Sequence, residues 1–120
     1  LMSPDYFLAS KTDKVGNVLA AVRASGREPR SISYIYIVNG DGRTLLGVVD
    51  LRELVISPDD LPVTEVMSSP VVTAEEDDVQ DDIEEMFAKY HYRMIPVVDG
   101  QDRMLGVIYY NDVMKGAASR

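Results

Sequence analysis

Eight carboxylates fall within Thr73–Glu85, TAEEDDVQDDIEE, and neither lysine nor arginine interrupts them. Carboxylate oxygens are the ligands that hard divalent cations take. Mg2+ usually keeps several waters and touches only one or two such groups, so no preformed cage is required. Read as a helix from about Asp78, the stretch stacks like charges at 77/81, 78/82 and 81/85, and at 75/78, 78/81, 81/84 and 82/85. At roughly 0.2–0.5 kcal/mol per pair, these seven cost on the order of 1–4 kcal/mol before screening. The ordinary alternative is a solvated helix face, whose first-turn acids each gain roughly 0.3–1 kcal/mol from the helix dipole. That accounts for Glu75 to Asp78 but not for Asp81, Asp82, Glu84 and Glu85. A divalent cation would remove the penalty and let this face close on another acidic surface. Asp77, Asp78, Asp81 and Asp82 are its candidate ligands.

The surrounding charge agrees. The net charge is −8, no Lys or Arg lies between Arg52 and Lys89, and twelve of the 20 acids lie in that gap. Such a surface repels a nucleic-acid backbone and an anionic membrane, so neither is an expected partner. The chain has no cysteine, which excludes a disulfide scaffold and thiolate zinc and fits a reducing compartment. No apolar run approaches the roughly 20 residues of a bilayer span, and nothing resembles a signal peptide. Position 1 is not Met, which reads as a fragment of a longer protein.

The elements that must carry these groups occur twice. YIYIVNGDGRTLLGVVDLREL (34–54) is echoed by MIPVVDGQDRMLGVIYYNDVM (94–114), each an apolar strand, a turn, a second strand with an internal LGV, and a short helix. Asn39-Gly40 and Asp99-Gly100 are tight-turn signals. Upstream, LMSPDYFLAS and VMSSPVVTAEE match, each followed by an amphipathic helix. Val15, Val18, Leu19 and Val22 predict a helix from Asp13 to about Ser25, ended by Gly26 and Pro29. Val79, Ile83, Met86, Phe87 and Tyr90 predict its counterpart, with Asp77 or Asp78 as N-cap and Gln80 completing a capping box. ISPDDLPV (56–63) reads as the connection. The expected organisation is a module at 1–57, a linker at 58–62 and a second module at 63–120. The fold class is α/β (α+β), two β-α-β-β-α modules. Strands apolar almost throughout need cover on both faces, so the modules are expected to pack about a pseudo-twofold axis.

The MS-P starts, the IPVVDGQDRMLGVI block and the YNDVM end resemble a tandem pair of CBS domains, a Bateman module, over essentially the whole chain. IYIVNGDGRTLLGVVDLRELVISPDD is similar to the cytosolic CBS region of MgtE-type magnesium transporters. That resemblance implies a homodimer on the cytoplasmic face of the cell membrane, between an acidic N-terminal domain and a transmembrane pore. It implies Mg2+ bound at acidic surfaces, favouring a closed pore, and ATP or AMP in the cleft between copies in some members.

Carried over residue by residue, the resemblance places acidic ligands at Asp81 and Asp112 and a backbone carbonyl at Ala88. His91 stands where the family has an acid; imidazole is a second choice for a hard cation, and a lone His is ordinarily a surface residue. For a nucleotide, the resemblance points to Glu53 and Asp112 on ribose hydroxyls. The hydroxyl positions of the family motif are occupied by Asp50 and Tyr109, and Arg52, which matches the arginine of the transporter segment, would offset the extra carboxylate. Tyr92, with Met94 and Pro96, would hold an adenine ring, although a packed aromatic explains Tyr92 equally well.

Catalysis is not expected. The single His has no Cys to act with, no Ser sits in a nucleophile elbow, and NGDGRT lacks the end of a phosphate-binding loop. Besides a Mg2+-sensing pair, an adenine-nucleotide sensor regulating another effector and a purely structural dimerisation module fit the residues.

Overall fold

A computed structural model describes residues 2–118. The elements run β1 (Phe7–Ser10), α1 (Val15–Ser25), β2 (Tyr34–Val38), β3 (Leu45–Asp50), α2 (Leu51–Ile56), β4 (Ala74–Glu75), α3 (Gln80–Tyr90), β5 (Met94–Val98), β6 (Met104–Tyr109) and α4 (Tyr110–Ala118). They form two mixed three-stranded sheets, β1-β2-β3 and β4-β5-β6. In each, the first pair is parallel across a helix and the second is an antiparallel hairpin. The expected β-α-β-β-α order is thus present twice. Among the described residues no helix is long and apolar enough to cross a membrane.

Among the described residues, the two compact units are 6–71, and 72–118 together with 2–5. Compaction is therefore offset from the sequence repeat, because each Met-Ser start pairs within the unit built from the other copy's hairpin. Ser68 exchanges two backbone hydrogen bonds with Val48 (3.0 and 2.8 Å), and Ser3 does the same with Val107 (2.7 and 2.9 Å). Residues 58–62 are hydrogen-bonded to α1: the carbonyls of Leu61 and Asp59 accept from the Val15 and Gly16 amides, both at 2.9 Å. They satisfy donors that an α-helix leaves unpaired at its start.

In the first unit the α1 stripe Val15, Val18, Leu19 and Val22 packs on Ile35, Ile37, Val49, Leu54 and Val63. In the second, Ile83 and Phe87 of α3 pack on Ala74, Ile95, Val97, Ile108 and Val113. All of Ile35–Val38 and all of Met94–Val98 are buried, on both faces of each strand, as their continuous apolar runs require.

Two local expectations are corrected. Helix α3 starts at Gln80 with Val79 as N-cap, and neither Asp77 nor Asp78 caps it. Asp78 is engaged elsewhere: its Oδ2 accepts the Glu75 amide (2.9 Å), and its own amide donates to the Glu75 carbonyl (3.0 Å). Asp13 closes the same turn on Ser10 (2.9 and 3.0 Å), so α1 starts at Val15 rather than Asp13. In both copies the aspartate ends the preceding strand instead of starting the helix. The hairpins are also wider than two-residue turns. Their left-handed positions are Gly42 (φ 76°) and Asp102 (φ 60°), not Gly40 and Gly100. The Asp41 carboxylate accepts the Arg43 and Thr44 amides (both 2.9 Å), and that of Asp99 accepts the Gln101 and Arg103 amides (2.9 and 3.0 Å). These bonds from the Arg103 and Gln101 amides hold the Asp99 carboxyl below its ordinary range. Side-chain acceptors of this kind stabilise loops that the Asn-Gly and Asp-Gly pairs alone do not specify.

Candidate functional site

The later helix start redistributes the acidic charge. Only three helical like-charge pairs remain inside α3, 81 with 85, 81 with 84, and 82 with 85, costing together about 0.6–1.5 kcal/mol. Asp81 and Asp82 occupy the first turn, where the helix dipole favours them. Glu75 to Asp78 lie outside the helix. There Glu75, Asp77 and Asp78 each bring a carboxylate oxygen within 4.8 Å of the other two. Like charges at that spacing repel by about 1 kcal/mol per pair even in water. Glu75 was missing from the candidate ligands. The strand–turn link between Glu75 and Asp78 gathers it, and only the unbroken EEDD run hinted at it.

Ala88, His91 and Asp112 lie at the other end of α3. At 1.5 Å per residue the helix is about 16 Å long, so Asp77 and Asp78 cannot share one ion with Ala88 or His91. Ala88 is exposed on the last turns of α3. Next to it, the Phe87 ring meets Tyr110 edge-on (centroids 5.7 Å, 75°), and the Tyr110 amide donates to the Arg93 carbonyl (2.8 Å). These contacts set the first turn of α4, which carries half-buried Asp112, beside the end of α3. The metal candidates therefore divide into a group around the start of α3, Asp77, Asp78, Asp81 and Asp82, and a group around its end, Ala88, His91 and Asp112. Along α3 itself, Asp82, Glu85, Met86, Lys89 and Tyr90, with Val72 and Thr73, line an open groove of about 410 Å3.

His91 has a structural role of its own. It is the C-cap of α3 in the left-handed conformation (φ 59°), and its amide donates to the Phe87 carbonyl (3.1 Å). A side chain there costs on the order of 1 kcal/mol relative to glycine. His91→Gly is expected to raise stability by about 1 kcal/mol in chemical denaturation. A Mg2+ response that survives this change assigns His91 to the backbone turn. A response lost with it assigns the imidazole to the ion.

Of the nucleotide candidates, Met94 and Pro96 lie within β5 and both side chains are buried. Tyr92 is 38% exposed but already stacks on Tyr90, with centroids 5.9 Å apart and rings 8° from parallel. Lys89 Nζ covers the Tyr90 ring at 5.1 Å. Arg52 and Glu53 belong to the other unit, in the first turn of α2. Asp50 is the N-cap of α2, accepting the Arg52 amide at 2.9 Å, and its carboxylate holds the Arg52 guanidinium at 3.2 Å. That hydrogen bond raises the Arg52 pKa above its ordinary value. The Asp50 charge is thus compensated locally, while the Arg52 side chain stays 87% exposed.

Comparison with known proteins identifies the architecture. The CBS domain family matches residues 1–58 and again residues 63–119. The magnesium transporter MgtE of Thermus thermophilus is 33% identical over 114 residues, covering 95% of this chain and 25% of the transporter. Inosine-5'-monophosphate dehydrogenase of Aquifex aeolicus is 35% identical over 88 residues, covering 70% of this chain and 18% of the dehydrogenase. The crystal structure of the cytosolic domain of the Mg2+ channel MgtE in complex with ATP superposes with a TM-score of 0.88 at 33% identity, over 97% of this chain and 46% of that one. The chain thus spans about a quarter or less of these two relatives' full lengths. With CBS matches over both halves and a β-α-β-β-α unit built on each sheet, the chain belongs to the CBS-domain family.

Proposed function

We propose that this chain is the regulatory CBS pair of a magnesium transporter, on the cytoplasmic face of the membrane, and that it senses Mg2+ through its acidic surface. The observation that carries the reading is the gathering of Glu75, Asp77 and Asp78 within 4.8 Å, in a chain 33% identical to a magnesium transporter. Empty, such a surface repels another acidic surface. With hydrated Mg2+ between them, the two associate, because the ion supplies the missing positive charge while keeping part of its water shell. The partners are a second copy of the chain, an acidic N-terminal domain and the transmembrane pore, which the closed arrangement holds shut. No step in this scheme is catalytic.

Mg2+ at about 100 times its dissociation constant stabilises the bound form by about 2.7 kcal/mol. Thermal unfolding in chelator and in millimolar Mg2+, with matching calorimetric titrations, measures this. The gain is expected to fall by more than half in Asp77→Asn/Asp78→Asn, and in part in Asp112→Asn. Equal melting temperatures with and without Mg2+ in the wild-type chain would sink the proposal.

A second reading, an adenine-nucleotide sensor, is supported by the ATP complex of the relative's cytosolic domain and by the exposed Arg52 guanidinium. ATP and AMP titrations in Mg2+-free buffer, with Arg52→Ala as control, separate it from the first. Heats lost in the variant favour the nucleotide, and none in the wild type remove it.

A further inference from the structure

The Met-Ser pair that opens each repeat is untouched by either functional reading, yet the fold lays both methionines over a strand glycine. Met67 lies over Gly47 of β3: a Cβ built on that glycine would stand 2.5 Å from the Met67 Sδ. Met2 lies over Gly106 of β6, where a Cβ would stand 2.9 Å from its Sδ. Next to each methionine, a serine bridges the adjoining strand residue, Ser68 to Val48 and Ser3 to Val107. Each unit is thus closed by one thioether on a bare glycine backbone and one pair of hydrogen bonds. In the second unit the Tyr109 hydroxyl adds a bond to the Asp5 carbonyl. Met2 is 51% exposed and Met67 is half-buried, whereas Met94 and Met104 are 2% and 3% exposed.

We propose that Met2 and Met67 are a matched pair of oxidation sites that loosen these closures. A peroxide is the oxidant. A sulfur lone pair attacks one peroxide oxygen, the O–O bond breaks, and the leaving oxygen takes up the protons as water. Sulfur loses two electrons and becomes the sulfoxide, and the peroxide is reduced. The product is polar and carries a strong acceptor oxygen. At the glycine it meets backbone already in contact, in strands whose ladder partners are Ile37 for Gly47 and Val97 for Gly106. The oxidised side chain turns out to solvent, and the serine bridge is left without its apolar cover.

The test treats the intact chain with graded hydrogen peroxide and reads three quantities: oxygen uptake by peptide mass, amide exchange and melting temperature. Met2 and Met67 are expected to gain oxygen before Met94 and Met104. The Val48 and Val107 amides, which donate to the Ser68 and Ser3 carbonyls, then exchange about tenfold faster. The melting temperature falls by roughly 4–8 °C, and methionine sulfoxide reductase restores it. Met2→Leu/Met67→Leu keeps the volume without the sulfur at these two positions and is expected to fold normally and, at the same dose, to keep its melting temperature and its Val48 and Val107 exchange rates. Oxygen on both methionines with unchanged exchange at Val48 and Val107 overturns the proposal. So does an equal loss in the double variant, or oxidation of Met94 and Met104 first.

Discussion

Replacing Phe87 by alanine is expected to destabilise the second unit by about 3–5 kcal/mol, the range for removing a buried aromatic side chain. Phe87 is 1% exposed. It is the largest member of a seven-residue cluster of buried side chains that also holds Ile83, Ile95 and Val113. Its ring also makes the edge-on contact with Tyr110, so the loss reaches the start of α4. A loss of this size is a large share of the roughly 5–15 kcal/mol that a domain has in total. Urea unfolding followed by circular dichroism measures it. Phe87→Leu, which retains most of the apolar volume, is expected to lose markedly less. If both variants unfold at the wild-type urea midpoint, the core assignment fails. A second consequence concerns function: Asp112 is placed by α4, so Phe87→Ala is expected to weaken any Mg2+ response that depends on Asp112 while leaving the Glu75–Asp77–Asp78 group in place.

The second expected result is an asymmetry between two glycines that the sequence presents as equivalent. Gly106→Ala should cost about 1–3 kcal/mol, as overpacking in a well-packed site does. The added Cβ would stand 2.9 Å from the Ser3 carbonyl oxygen as well as meeting Met2, and that oxygen, which accepts the Val107 amide while the Ser3 amide donates back to the Val107 carbonyl, cannot step aside. Gly47→Ala should cost less, on the order of 0.5–1.5 kcal/mol, the range for an off-rotamer side chain. Its close neighbours are all atoms of the Met67 side chain, and turning the outer bonds of methionine relieves the nearest of them. Denaturation midpoints of the two variants test this. Equal losses would show that the Ser3 backbone yields as readily as a methionine side chain.

Much of this molecule follows from local pattern. The i, i+3, i+4, i+7 stripe of Val15, Val18, Leu19 and Val22 is a helix face in any globular setting, and Gly26 in the left-handed conformation (φ 64°) ends that helix at Ser25. The runs YIYIV and MIPVV are apolar on both faces, and every residue from Ile35 to Val38 and from Met94 to Val98 is buried. Repetition of these patterns is sufficient for two β-α-β-β-α units, because each depends on side chains a few positions apart.

Other features were decided by where the chain returns in space. Asp78 had two possible backbone partners, the first turn of α3 ahead of it or Glu75 behind it. The sequence is neutral between them, and the strand–turn geometry selects Glu75. That choice moves the helix start, shortens the list of repelling pairs and draws Glu75 into the acidic group. Likewise, Met2 reaches Gly106 across more than a hundred residues of sequence, and Met94 and Pro96, plausible as ring contacts in a linear reading, are enclosed in β5. Periodicity reports which side of an element is apolar. Which atoms meet across distant segments depends on chain path and on competition between equally good hydrogen-bond partners, and only the folded molecule resolves both.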